Sequence, residues 1–137
     1  MICHSYGSAV LAEAALTGQL RVSDVVAVGS PGMHADRAVD LGLDPRHVWG
    51  GLAADDQLGN GLGSLPFVHG EEPTDPAFGA NRFQVDTLGH SGYWEPNSSS
   101  LRSQAAIIVG RYDLVPLVHG TAPDLVLPGS GRGYVCQ

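Results

Sequence analysis

The pattern of apolar and polar positions changes period several times along the chain. Met1-Ile2 reads as the end of a strand. Ser8 to Thr17, rich in alanine and leucine, reads as a helix stopped by Gly18 in a C-cap role. Val22 to Gly29 (VSDVVAVG) is β-branched and nearly all apolar, as in a strand buried on both faces. A short helix is expected over Asp36 to Leu41 and a further strand over His47 to Ala53 (HVWGGLA). Arg82 to Thr87 (RFQVDT) alternates and predicts another strand. Asn97 and Ser98 offer N-caps for a helix running towards Tyr112. Leu101, Ala105, Ile108 and Tyr112 would form its apolar stripe, being spaced i, i+4, i+7 and i+11. Helices that alternate with strands in this way imply an α/β fold: a mostly parallel sheet with flanking helices. In such sheets the chemistry gathers at the carboxyl ends of the strands.

Glycine and proline cluster between these elements. Residues 61–81 are loop-like throughout, and the stretch from Ala122 to Gln137 reads as an irregular tail. With 137 residues, 43% of them hydrophobic and 15% charged, the chain has the balance of one globular domain rather than a disordered segment. No apolar run is long enough to span a bilayer, and no charged start precedes an apolar stretch, so the expectation is no membrane span and no signal peptide. Localisation is then cytoplasmic by default. The net charge of −7 and seven scattered arginines leave no basic footprint for nucleic acid or anionic membrane. Cys3 and Cys136 near the two ends form no CxxC pair, and the six histidines show no i, i+4 pairing, so no metal or other cofactor is expected.

Two Ser-x-Gly triplets compete as a nucleophile turn, Ser5-Tyr6-Gly7 and Ser30-Pro31-Gly32. In a nucleophile elbow the residue after the serine gives its backbone N–H to the oxyanion hole. Pro31 has no N–H to give, whereas Tyr6 does. Ser30 also lacks a helix directly behind it and reads as a turn. Ser5 has an apolar pair before it, Gly7 to permit close helix–strand approach, and a helix immediately after, whose N-terminus would favour a developing oxyanion.

A serine hydroxyl needs a base, and the base needs an orienting acid. Asp55-Asp56 follow one predicted strand and His90 follows the next, in the chain order Ser, Asp, His. Asp56, which opens an Asp-x-Leu triplet, is preferred as the acid. Asp55 is the alternative, otherwise facing solvent or capping a turn. Asp75 and Asp86 lie in a loop and inside a strand. His34 and His47 precede the acid, while His69 and His119 end no convincing strand. These four and His4 read as structural or surface residues. Gly59-Asn60-Gly61-Leu62-Gly63-Ser64 lacks the lysine and the strand-to-helix setting of a phosphate loop. Tyr6, Tyr93 and Trp94 could line an acyl pocket or simply fill the core.

Taken together, HSYGSAVLAEAAL, DVVAVGSPGMHADRAVDLGL, HVWGGLAADDQLGN, DPAFGANRF, HSGYW and SLRSQAAIIVGR resemble an uncharacterised α/β-hydrolase family common in actinobacteria. The resemblance covers roughly residues 2 to 112. It implies a serine hydrolase with Ser5 as nucleophile, Asp56 or Asp55 as acid and His90 as base, and it names no substrate. The leading expectation built on it is a carboxylic-ester hydrolase acting on a small-molecule ester, with the Tyr6 N–H as half of the oxyanion hole. Cys3 departs from the glycine usual at that position of the elbow. The resemblance is to the C-terminal half of the fold, which makes 1–114 a partial hydrolase domain and 115–137 the tail. With the upstream half absent, including the second oxyanion donor, weak activity is expected, since one such donor is worth about 10²–10³ in rate. The other reading is an inactive fragment with a structural or self-associating role. The strand before Ser5 would then be an open sheet edge, from which a homo-oligomer is expected.

Overall fold

A computed structural model describes residues 1–56 and 69–118. Among these, four parallel strands lie side by side in chain order: β1 (Ile2–His4), β2 (Val25–Val28), β3 (Val48–Gly51) and β4 (Asn81–Arg82). Ile2 pairs with Val26, Val26 with Trp49, and Trp49 with Asn81, so the strand ends are aligned across the sheet. The α/β class read from the sequence is the observed one: a small parallel sheet with helices against it. β2 is fully buried over its four residues and β3 likewise, as their apolar runs require.

Alternation along β2 divides the core in two. Val25 and Ala27 face a cluster with Leu11, Ala12 and Ala15 of α1 (Gly7–Leu16), joined by Leu41, Val48 and Phe78. Val26 and Val28 face the opposite cluster, with Trp49, Phe83, Tyr93 and Ile107 of α2 (Ser99–Ile108). The α1 helix ends at its Thr17 cap with Gly18 beyond it at φ +71°, close to the sequence reading. The short helix expected over Asp36 to Leu41 is a 3-10 turn over Ala38–Leu41.

Two expectations need correction. The strand over Arg82 to Thr87 shrinks to Asn81–Arg82, because the backbone then turns to another partner. Gln84 N–H donates to Pro116 C=O, Val118 N–H donates to Arg82 C=O, and Phe83 bridges antiparallel to Leu117. Val115, in the same segment, is buried in the second cluster. The apolar stripe on the last helix is also displaced. Ile108 is 67% exposed, Ala105 is exposed, and Tyr112 lies past the helix in a 3-10 turn. The buried face carries Ser100, Ser103, Gln104 and Ile107, spaced i, i+3, i+4 and i+7. Polar groups await Gln104 there: its Nε2–H donates to Tyr93 C=O and its Oε1 accepts from the Trp94 indole, whereas the Ser103 hydroxyl is buried with no hydrogen-bond partner among the described residues.

At the amino ends of the strands Asp24 gathers three side-chain donors, from His47, Trp49 and Tyr112. Burial and this carboxylate push the Tyr112 phenol up to about 12. His47 is thereby a structural tie, at the end of the sheet remote from Ser5. Among the described residues no helix is long and apolar enough to cross a membrane. The sequence readings on Gly59 to Ser64, His119, Cys136 and most of the tail from 115 lie outside the described residues.

Candidate active site

Ser5 stands where β1 turns into α1. Its φ is +55°, a left-handed conformation that non-glycine residues rarely adopt. Its N–H donates to Val28 C=O at 3.0 Å, which pins the turn to β2. Tyr6 follows as the N-cap of α1, so its amide lies at the positive end of that helix. A Cβ built at Gly7 would sit 4.0 Å from Cys3 Cβ, an ordinary contact. The close approach expected at Gly7 therefore does not itself demand glycine. Cys3 packs into the core, its thiol pushed up to about 12 by burial, which keeps it protonated and inert.

Ser30, the rival serine, is 1% exposed and occupied with the turn itself. Its Oγ accepts from Gly32 N–H and lies 2.6 Å from Ser8 Oγ, while Ser8 donates to Ser5 C=O at 2.7 Å. Ser30 and Ser8 thus brace the elbow from behind.

The end of β3 and the loop after β4 bring two further side chains to Ser5. Asp56 is 1% exposed, in a turn whose N–H donates to Ala53 C=O. His90 Nδ1 lies 2.9 Å from Asp56 Oδ2 and 3.1 Å from Oδ1. On the other side of the ring, Nε2 lies 2.8 Å from Ser5 Oγ. A carboxylate can only accept, so the proton belongs on Nδ1 and Nε2 is free to accept from the serine hydroxyl. Asp55 is exposed and accepts from Gly89 N–H at 2.7 Å, which fastens the His90 loop beside Asp56.

Two neighbours of this group escaped the sequence reading. Tyr93 is fully buried rather than lining an open pocket, and its hydroxyl donates to Asp56 Oδ2. His4 Nε2–H donates to the backbone C=O of His90 at 2.6 Å, with the two rings 4.6 Å apart. Nothing local in the sequence marks either contact, since each joins residues far apart along the chain. Gly29, at φ +56°, leaves the room that Asp56 and Tyr93 both require. A Cβ there would lie 2.9 Å from Asp56 Oδ2 and from the Tyr93 ring.

The remaining candidates sit elsewhere. His34 pairs with Glu13 at 2.5 Å and stacks on His69. Asp75 caps the 3-10 turn Pro76–Phe78, and Asp86 accepts from the first amides of α2. Tyr6 and Trp94 are 57% and 41% exposed, leaving them as surfaces beside the elbow and the His90 loop.

Residues 1–65 match a family model described as alpha/beta hydrolase, a span holding Ser5 and Asp56 but not His90. Two uncharacterised proteins of Mycobacterium tuberculosis, from the CDC 1551 and H37Rv strains, are each 30% identical to the chain over an alignment 162 positions long. The alignment takes in 93% of this chain and 25% of each relative, so the chain spans about a quarter of the length of the curated relatives it matches. No solved structure matches.

Proposed function

We propose, for a chain related to the alpha/beta-hydrolases of actinobacteria, that it carries the Ser5–His90–Asp56 centre of a carboxylic-ester hydrolase. The observation that supports this most is the unbroken path of hydrogen bonds from Ser5 Oγ through both nitrogens of His90 to a buried carboxylate. In this reading Ser5 Oγ attacks the ester carbonyl carbon while its proton passes to His90 Nε2. The tetrahedral oxyanion is met by the Tyr6 N–H at the start of α1. Collapse expels the alcohol, which takes the proton from Nε2 and leaves an acyl group on Ser5. Water, deprotonated by the same nitrogen, then releases the acid. Asp56 holds the Nδ1–H tautomer and stabilises the imidazolium formed in both halves of the cycle. The left-handed turn at Ser5 lifts Oγ off the strand and aims it at His90.

Activated esters test the reading without knowledge of the natural substrate. With p-nitrophenyl acetate the chain should release nitrophenolate in a stoichiometric burst, followed by slower turnover as the acyl-enzyme hydrolyses. Ser5→Ala should lose both phases. Equal burst amplitude in the two proteins would refute the assignment.

A further inference from the structure

We propose that Tyr93 is a positioning residue of this centre: its hydroxyl shares Asp56 Oδ2 with His90 and so sets how strongly the acid holds the base. The inference rests on the triad reading and adds a member to it. Both donors converge on one carboxylate oxygen, so each hydrogen bond draws on the same charge. Ala53 N–H donates to the phenol oxygen at 3.2 Å, which polarises the O–H and makes it a better donor.

The phenol has little freedom to be elsewhere. Tyr93 is fully buried, its ring lies against the space left by Gly29, and its backbone C=O accepts from Gln104 of α2. The polar inner face of α2 thus acts on the site at one remove, by holding the turn that carries Tyr93. Burial, followed by the hydrogen bond to Asp56, raises the phenol's proton affinity, so it stays a donor across the working pH range. A merely space-filling ring would need no hydroxyl at this point, and would leave more of the charge of Asp56 to His90.

Without the phenol proton donor, Asp56 binds the His90 imidazolium more tightly. His90 then keeps its proton to higher pH, and Ser5 loses its base at pH values where the unsubstituted chain still has it. Other ionisable groups face this region: His4 from β1, Asp55 after β3, Glu95 beside Gly92, and Glu72, which acts on Tyr93 electrostatically. All of them are unchanged by a substitution at position 93.

The experiment is an NMR titration of the His90 imidazole in the full chain and in Tyr93→Phe, paired with the pH dependence of Ser5 labelling by a fluorophosphonate. The titration midpoint should rise by about half a unit to one unit in the variant, with labelling below the midpoint slowed about 3- to 10-fold. A second variant carrying 3,5-difluorotyrosine at position 93 keeps the ring and strengthens the donor, so its midpoint should fall; it carries the test should Tyr93→Phe not fold. Midpoints that coincide between the full chain and the variant that folds overturn the inference, whatever the labelling. Failure of the triad reading shows differently: Ser5 is labelled at no pH, even where the midpoints move.

Discussion

Replacing His90 with alanine should slow acylation of Ser5 by on the order of 10⁶-fold, down to the reactivity of an ordinary serine hydroxyl. A serine hydroxyl is a poor nucleophile until something takes its proton, and His90 Nε2 at 2.8 Å is placed to do so. His90 sits in a loop with its side chain 27% exposed, so the substitution opens no core cavity, and circular dichroism should be unchanged. The losses should not add. Ser5→Ala alone should cost about as much as His90→Ala, and the double variant no more than either, because the two groups act as one unit. The measurement is the rate of nitrophenyl ester acylation in the three variants. Additive losses would mean that serine and histidine serve separate roles.

Asp56→Asn should cost about 10⁴-fold at neutral pH with the fold intact. The buried carboxylate accepts from both the imidazole and the Tyr93 phenol. An asparagine amide has one oxygen and one NH₂ to put in their place. If the NH₂ faces His90, Nδ1 must accept, the ring proton moves to Nε2, and the base can no longer take the proton from Ser5. If the NH₂ faces Tyr93 instead, the phenol oxygen receives two N–H donors, from the amide and from Ala53, and its own proton loses its acceptor. Either arrangement damages the centre, and the first stops it. Asp55→Asn supplies the contrast. That side chain is exposed and holds the Gly89 amide, so its replacement should change the rate several-fold at most. Equal losses for the two aspartates would exclude Asp56 as the one orienting acid.

The local parts of this architecture were legible along the chain. The turn from Ile2 into a helix, the apolar run of β2 and the Ser98 cap of α2 each depend on neighbours in sequence, and each has a physical signature there. Misread features depend on distant partners. On the inner face of α2 Gln104 meets the Tyr93–Trp94 turn, a contact that no helical period encodes. The strand at Arg82 is short because residues 116–118 take over its hydrogen bonds. At the site, chain order and strand ends sufficed to nominate Ser5, Asp56 and His90. The hydroxyl of Tyr93 and the His4 bond to the His90 carbonyl could not be nominated that way. Both are second contacts, which exist only once the sheet has brought three loops together.

Whether Ser5 is the nucleophile is tested most directly by mapping the adduct that a fluorophosphonate leaves on the protein. With no lysine in the chain, trypsin cuts at arginines, so Ser5 falls in the peptide Met1–Arg21 and the rival Ser30 in Val22–Arg37. Fragmentation of the first peptide separates Ser5 from Ser8. A single adduct is expected on Ser5, absent after Ser5→Ala and strongly reduced after His90→Ala. An adduct on Ser30 or Ser8, or no adduct on a folded chain, would contradict the Ser5–His90–Asp56 centre.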